Sequence, residues 1–263
     1  MKTAIVTGGT KKDIDAMAVL AINIKKKSPA VADEMIIFHD GVDAYTMKVM
    51  QKIMPIKFIK YKCPISSIHL WANRTIRYFS PMIFCKYECF RLLEEYDTVI
   101  WTDYDILIKD DIQEIRNIDN SMAFTVLKEQ KLRKMFYKTV VNADMHLFDL
   151  DGESITMPLF VLKRTCGNYR KYYEWCIYMT RKYCKYLYLP EQCIVTMLVQ
   201  YFDLTYTELS LNVYCMHPRE EKENTKILHS YGQPKFWNGL YNEEWQKYYQ
   251  EWIEMKRGIP RLT

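Results

Sequence analysis

Unbroken apolar runs limit most strongly what this chain can fold into. Ala4-Ile5-Val6, Met35-Ile36-Ile37-Phe38 and Val99-Ile100-Trp101 contain no polar residue. A strand apolar on both faces must be covered on both, which a sheet with helices above and below provides. The sequence between the runs supplies the helices. Ile14, Met17, Ala18, Ala21 and Ile24 recur at helical spacing, and the segment closes on Lys25-Lys26-Lys27 before Pro29 stops it. The pattern predicts strand 3–7, a helix from residue 13, strand 35–38, helix 43–53, strand 57–61, helix 82–95 and strand 98–101. Further on it predicts strands 122–127 and 159–162, helices 169–188, 191–202 and 241–256, and a loop-rich stretch over 203–240. The result is an α/β chain with helices on both faces of its sheet. Ligands of such sheets bind beyond the carboxyl ends of the strands. Two ends qualify here, Thr7-Gly8-Gly9 and Thr102-Asp103-Tyr104-Asp105.

Composition narrows the classes. The 263 residues, without internal repeat or linker, suit one domain with a full core. A net charge of +5 is too mild for a dedicated nucleic-acid binder, so no nucleic-acid partner is expected. No run reaches the roughly 18 apolar residues of a spanning helix. The apolar stretch after Met1-Lys2 is too short for a secretion signal. The eight cysteines form no compact framework, and Cys85 and Cys89 stand one helical turn apart as two thiols. Reduced, mostly buried thiols and a cytoplasmic location are the expectation.

The sharpest chemical feature is Asp103-Tyr104-Asp105 at the end of an apolar strand. In extended geometry residues i and i+2 point the same way, so the two carboxylates repel. A hard divalent cation relieves that repulsion and keeps open positions for phosphate oxygens; two solvated turn residues are the plainer alternative. The second feature is Ile227-Leu228-His229-Ser230-Tyr231-Gly232-Gln233-Pro234-Lys235-Phe236-Trp237. Its imidazole suits a third metal ligand and its lysine a phosphate, against the alternative of a structural histidine at a strand end.

Together, Asp103-Tyr104-Asp105 and His229-x-x-Gly232-x-x-Lys235-x-Trp237 resemble glycosyltransferase family eight over residues 1–240. That motif usually carries Pro where Phe236 stands. The resemblance implies the GT-A fold: a single Rossmann-like nucleotide-binding domain over 1–240 with a mixed, mostly parallel central sheet, then an aromatic and basic helical extension over 241–263. It implies a retaining hexosyltransferase that uses a UDP-sugar donor and Mn²⁺ or Mg²⁺. Asp103, Asp105 and His229 would hold the metal. Thr7, Gly8, Gly9, Lys86, Tyr104, Gly232 and Lys235 would contact the donor with them, Lys86 standing where the family has an arginine. Glu191 and Gln192 match the family's Asp-Gln pair near the reacting sugar, and Asn212 matches a later asparagine. The usual Asn-Ala-Gly segment is replaced by Thr156-Met157-Pro158. Two other functions fit parts of the pattern: a non-catalytic sugar-nucleotide or glycan-binding module, and a haloacid-dehalogenase-type phosphatase with an Asp nucleophile.

The segment 169–183 alternates aromatic and basic residues and reads as an amphipathic helix packing its rings inward. Trp245, Tyr248, Tyr249 and Trp252, with Lys256, Arg257 and Arg261, suit either packing or peripheral contact with a membrane holding a lipid-linked acceptor. Asn73-Arg74-Thr75 matches a glycosylation sequon and reads as chance.

Overall fold

The computed structural model describes residues 1–66, 69–70, 73–137 and 143–258, with residues 143 and 144 described by their backbone only. The strands are β1 (Thr3–Gly9), β2 (Glu34–His39), β3 (Ile56–Lys60), β4 (Thr98–Thr102), β5 (Ile106–Ile108), β6 (Met122–Lys131), β7 (Glu153–Lys163), β8 (Thr207–Leu209) and β9 (Ile227–His229). Seven of them form one sheet in the order β3-β2-β1-β4-β7-β6-β8. The first four run parallel, and β7 is antiparallel to both β4 and β6. Strand alternation divides the core into two layers. Ala4, Val6, Val99, Trp101 and Phe160 face one layer; Ile5, Ile37, Ile100 and Val161 face the other. The expected mixed, mostly parallel sheet is the observed one.

The helices are α1 (Ile14–Lys27), α2 (Ala44–Met50), α3 (Arg74–Phe79), α4 (Glu88–Leu92), α5 (Tyr169–Tyr183), α6 (Pro190–Tyr201), α7 (Leu211–Tyr214) and α8 (Glu243–Arg257). α1 is buried at every residue from Ala16 to Ile24, more than one apolar stripe requires. The reason is α8, which covers its outer side. Trp252 Nε1 donates to Asp15 at 2.7 Å, and Lys256 reaches the same carboxylate at 3.0 Å. Trp245, Tyr248 and Trp252, offered by the sequence for membrane contact, are buried in this packing instead. Arg261 lies outside the described residues. Among the described residues no helix is long and apolar enough to cross a membrane, and all eight cysteines are free thiols.

Three sequence-based bounds change for identifiable reasons. The helix expected over 82–95 is a 3₁₀ segment, Pro81–Tyr87, followed by the short α4. The helix expected to reach residue 188 ends at Tyr183. There the carbonyls of Cys184 and Leu187 accept from the buried Asn73 amide, each at 2.6 Å, in place of helical donors. That burial also leaves the Asn73 sequon no room for a glycan. The strand expected over 159–162 extends through Pro158. The β6–β7 register shifts between Phe124 and Thr125, leaving Met157 and Pro158 outside the ladders to both β6 and β4, where a missing N–H costs nothing.

A second, two-stranded sheet pairs β5 with β9 antiparallel, with Ile106 opposite His229. Its other edge is closed by one side chain. Asn23, buried on α1, donates to the Ile108 carbonyl at 2.8 Å and accepts from the Ile108 N–H at 2.6 Å. Asn23→Leu keeps the size but orphans two buried backbone groups, each worth about 1–3 kcal/mol. Urea unfolding is expected to show a loss of about 2–6 kcal/mol, whereas a loss below about 1 kcal/mol would contradict this role.

Candidate active site

The site grows from the end of β4. Trp101 and Asp103 are two residues apart on one side of the chain, and Trp101 Nε1 donates to Asp103 Oδ1 at 2.8 Å. The Asp103 N–H donates to the Pro158 carbonyl at 2.8 Å, so the β7 bulge supports it. Residues 104 and 105 form a turn rather than continuing extended, and β5 begins immediately after. The two carboxylates therefore converge through a turn, not through strand alternation. β9 then brings in the histidine. Ser230 donates to the Asp105 carbonyl through its N–H at 2.9 Å and its hydroxyl at 3.0 Å. His229 Nε2 stands 3.3 Å from Asp105 Oδ1. One ligand atom from each of Asp103, Asp105 and His229 falls within 4.8 Å of the others. Two carboxylates and an imidazole at that spacing fit a divalent cation.

Burial makes this charge expensive, and each carboxylate has a cation against it. Lys86 is buried and spends its ammonium on Asp103 Oδ1 at 3.0 Å, the Met157 carbonyl at 3.0 Å and Glu191 Oε1 at 3.3 Å. Burial alone would lower its pKa; Asp103 and Glu191 reverse that and push it above the usual lysine range. Burial would raise the Asp105 pKa, but His229 and Lys235 pull it well below the carboxylate range. His229 moves up: burial disfavours its charge, and Asp105 overcomes that, with a contribution from Cys215. Cys215 Sγ lies 3.2 Å from His229 Nδ1.

The remaining expected residues fall into groups. Thr7 is fully buried in β1. At Gly8 a Cβ would lie 2.5 Å from Cys85 Sγ, so glycine lets the 3₁₀ segment that carries Lys86 pack against β1. At Gly9 a Cβ would meet the Tyr104 ring at 2.9 Å. Tyr104 therefore joins the end of β1 to the Asp-x-Asp turn. Gly232 has φ +72°, a conformation that favours glycine, and turns the chain back so that Lys235 bonds both Asp105 and the Ser230 carbonyl. Phe236, in the place of the motif's proline, is buried and stacks on Trp245, tying this loop to α8. Glu191, at the start of α6, joins the cluster through Lys86; Gln192 is half-buried beside it. Asn212 instead accepts from Lys222 at 2.9 Å, apart from the cluster. Sequence reasoning missed the Trp101 indole, Cys215 and the Met157 and Pro158 carbonyls. Of these, only Trp101 carried a signal, its i, i+2 spacing to Asp103. A shallow concavity between α2 and β3, lined by Met47, Gln51 and Phe58, lies at the β3 edge of the sheet and holds none of this chemistry.

Residues 5–240 match the sequence family described as glycosyl transferase family 8. The chain belongs to glycosyl transferase family 8. Its fold is that of the galactosyltransferase LgtC, solved with donor and acceptor sugar analogues: 13% identity, TM-score 0.64, over 99% of this chain and 97% of that one. The glycosyltransferase GlyE of Streptococcus pneumoniae TIGR4 superposes with TM-score 0.62 at 17% identity, over 98% of this chain and 62% of its own. Mouse xyloside xylosyltransferase 1 superposes with TM-score 0.54 at 11% identity, over 89% of this chain and all of its own. No curated protein matches the chain by sequence. This family 8 protein is a glycosyltransferase with a GT-A fold, which sets aside the phosphatase.

The Lys86 cluster makes a stability prediction. Lys86→Met leaves two carboxylates without their shared cation and is expected to cost about 3–5 kcal/mol in chemical unfolding. Adding Glu191→Gln in that background should raise stability again. Simple additivity of the two costs would contradict the coupling.

Proposed function

We propose that this glycosyltransferase moves a hexose, glucose or galactose, from a UDP-sugar to a glycan, a lipid-linked glycan or a protein, with retention of anomeric configuration. The observation that carries this is the convergence of Asp103, Asp105 and His229 beside Lys235 and Lys86. A divalent cation held by those three would neutralise diphosphate charge. A nitrogen among the ligands favours Mn²⁺ over Mg²⁺, which prefers oxygen alone. The 1–240 unit supplies the site, and α8 supports it.

This chain's residues then divide the work. Tyr104, against Gly9, and the Gly8-Gly9 end of β1 receive the nucleoside, while the expected contact from Thr7 is ruled out by its full burial. Lys235, delivered by the Gly232 turn, sits where charge builds on the departing diphosphate, and its ammonium stabilises that charge. Lys86 fixes Asp103 and Glu191 relative to each other and presents positive charge to the donor. The anomeric carbon passes through an oxocarbenium-like state. The bond from that carbon to the diphosphate oxygen breaks as the acceptor oxygen bonds on the same face, and the acceptor proton passes to a diphosphate oxygen. Support for this front-face route over a covalent one comes from Glu191 and Gln192, the motif-matched candidates for a covalent nucleophile. Glu191 is buried and paired with Lys86, and Gln192 carries no charge.

Eight free thiols, six of them buried, suit a reducing compartment, and we place the reaction in the cytoplasm. A lipid-linked acceptor would bring it to a membrane surface, with the α8 region offering Lys247, Lys256 and Arg257. Calorimetric titration of UDP tests the central assignment. Binding that requires Mn²⁺ in wild type and disappears in Asp103→Ala/Asp105→Ala is the expected outcome. Equal binding without metal would contradict it.

A further inference from the structure

An imidazole presents one lone pair to a cation, and its other nitrogen then needs a partner of its own. His229 is buried on β9, where a ring nitrogen left without a partner is costly. Nε2 faces Asp105. Nδ1, on the other side of the ring, meets Cys215 Sγ at 3.2 Å. Among the described residues Cys215 is the one thiol hydrogen-bonded to an imidazole. The backbone places that sulfur. The Cys215 N–H donates to the Leu211 carbonyl at 3.0 Å, which ends α7 there. The next residue, Met216, forms a parallel bridge with Leu228 of β9. Its carbonyl accepts from the His229 N–H at 2.8 Å, and its N–H donates to the Ile227 carbonyl at 3.2 Å. Cys215 and His229 therefore lie on neighbouring segments held in a fixed register. The Tyr231 ring, 5.6 Å from the imidazole and tilted by 60°, packs beside it.

We propose that Cys215 is a positioning residue of the cation site: its sulfur accepts from His229 Nδ1–H and so keeps Nε2 turned toward Asp103 and Asp105. The inference rests on the reading of Asp103, Asp105 and His229 as ligands of a divalent cation, and adds the group that orients the nitrogen. With a proton held on Nδ1, the lone pair open to a cation is on Nε2. Half a turn about the Cβ–Cγ bond would exchange Nδ1 for a carbon. It would take the N–H away from the sulfur and swing Nε2 away from Asp105. The sulfur contact opposes that turn. The usual partner in this place is a carboxylate or a carbonyl. A carboxylate here would add another negative charge to a buried cluster that already needs Lys86 and Lys235 to balance it. A thiol accepts the N–H without adding that charge.

Titration of Mn²⁺ into the full chain with UDP present, read by the paramagnetic resonance of the free ion, tests this. Cys215→Ala is expected to weaken Mn²⁺ binding about 10–100-fold, the usual effect of removing the partner of a metal-bound histidine. Cys215→Val, which fills the space without an acceptor, should match it, and Cys215→Ser, which keeps an acceptor, should restore most of the loss. In a His229→Gln background Cys215→Ala should change Mn²⁺ affinity no further, because the ring it holds is gone. The ¹⁵N-histidine NMR spectrum of the metal-free wild type should show a proton on His229 Nδ1 that exchanges slowly with solvent, and Cys215→Ala should speed that exchange. Wild-type Mn²⁺ affinity in the alanine and valine variants, or a loss that serine does not restore, would overturn the assignment. So would an equal loss in the His229→Gln background, or an Nδ1 without a proton. Failure of the wild type to bind Mn²⁺ with UDP would instead strike the cation reading, and the Nδ1 proton would still decide whether the sulfur holds the ring.

Discussion

Three carboxylates, Asp103, Asp105 and Glu191, stand where an apolar sheet ends, and each would be prohibitively costly there without a facing cation. Lys86 serves two of them, and Lys235 and His229 serve the third. These pairs bind four distant parts of the chain to the end of β4: the 3₁₀ segment after α3, the β7 bulge, the start of α6 and the loop after β9. Removing Lys86 leaves two carboxylates uncompensated, whereas Asp105 keeps one cation if either Lys235 or His229 is lost. In the proposed reaction the same lysines would also meet the charge of an anionic donor.

Aromatic and amide contacts carry that constraint outward. Tyr104 meets Trp237, and Phe236 and Trp237 both pack on Trp245 of α8. α8 in turn covers α1, and Asn23 of α1 clamps the β5 edge whose partner strand carries His229. The last helix therefore acts on the chemistry through packing, although none of its residues joins the charged cluster.

Much of this was legible in the sequence because it follows from local rules. The unbroken apolar runs required a doubly covered sheet, and Asp103, Asp105 and His229 declared themselves by residue type and strand-end placement. The turn bringing Asp105 round and the termination at Tyr183 were not legible, since both depend on partners far along the chain. Asn73 supplies donors from 111 residues away, and Asn23 reaches Ile108 across 85. The burial of Trp245, Tyr248 and Trp252 was undecided for the same reason: an amphipathic helix states that it needs a cover, not what the cover is. Lys86 shows a further limit. Its charge was readable, but its simultaneous hold on Asp103, Glu191 and the Met157 carbonyl exists only in three dimensions.

The central claim is that the β5–β9 pairing sets His229 beside the two aspartates as a ligand for a divalent cation. Pulsed electron paramagnetic resonance of Mn²⁺ bound together with UDP tests it most directly. The account predicts a hyperfine coupling from a single imidazole nitrogen that disappears in His229→Gln while the fold is retained. Bound Mn²⁺ with no nitrogen coupling, or a coupling that survives that substitution, would contradict it.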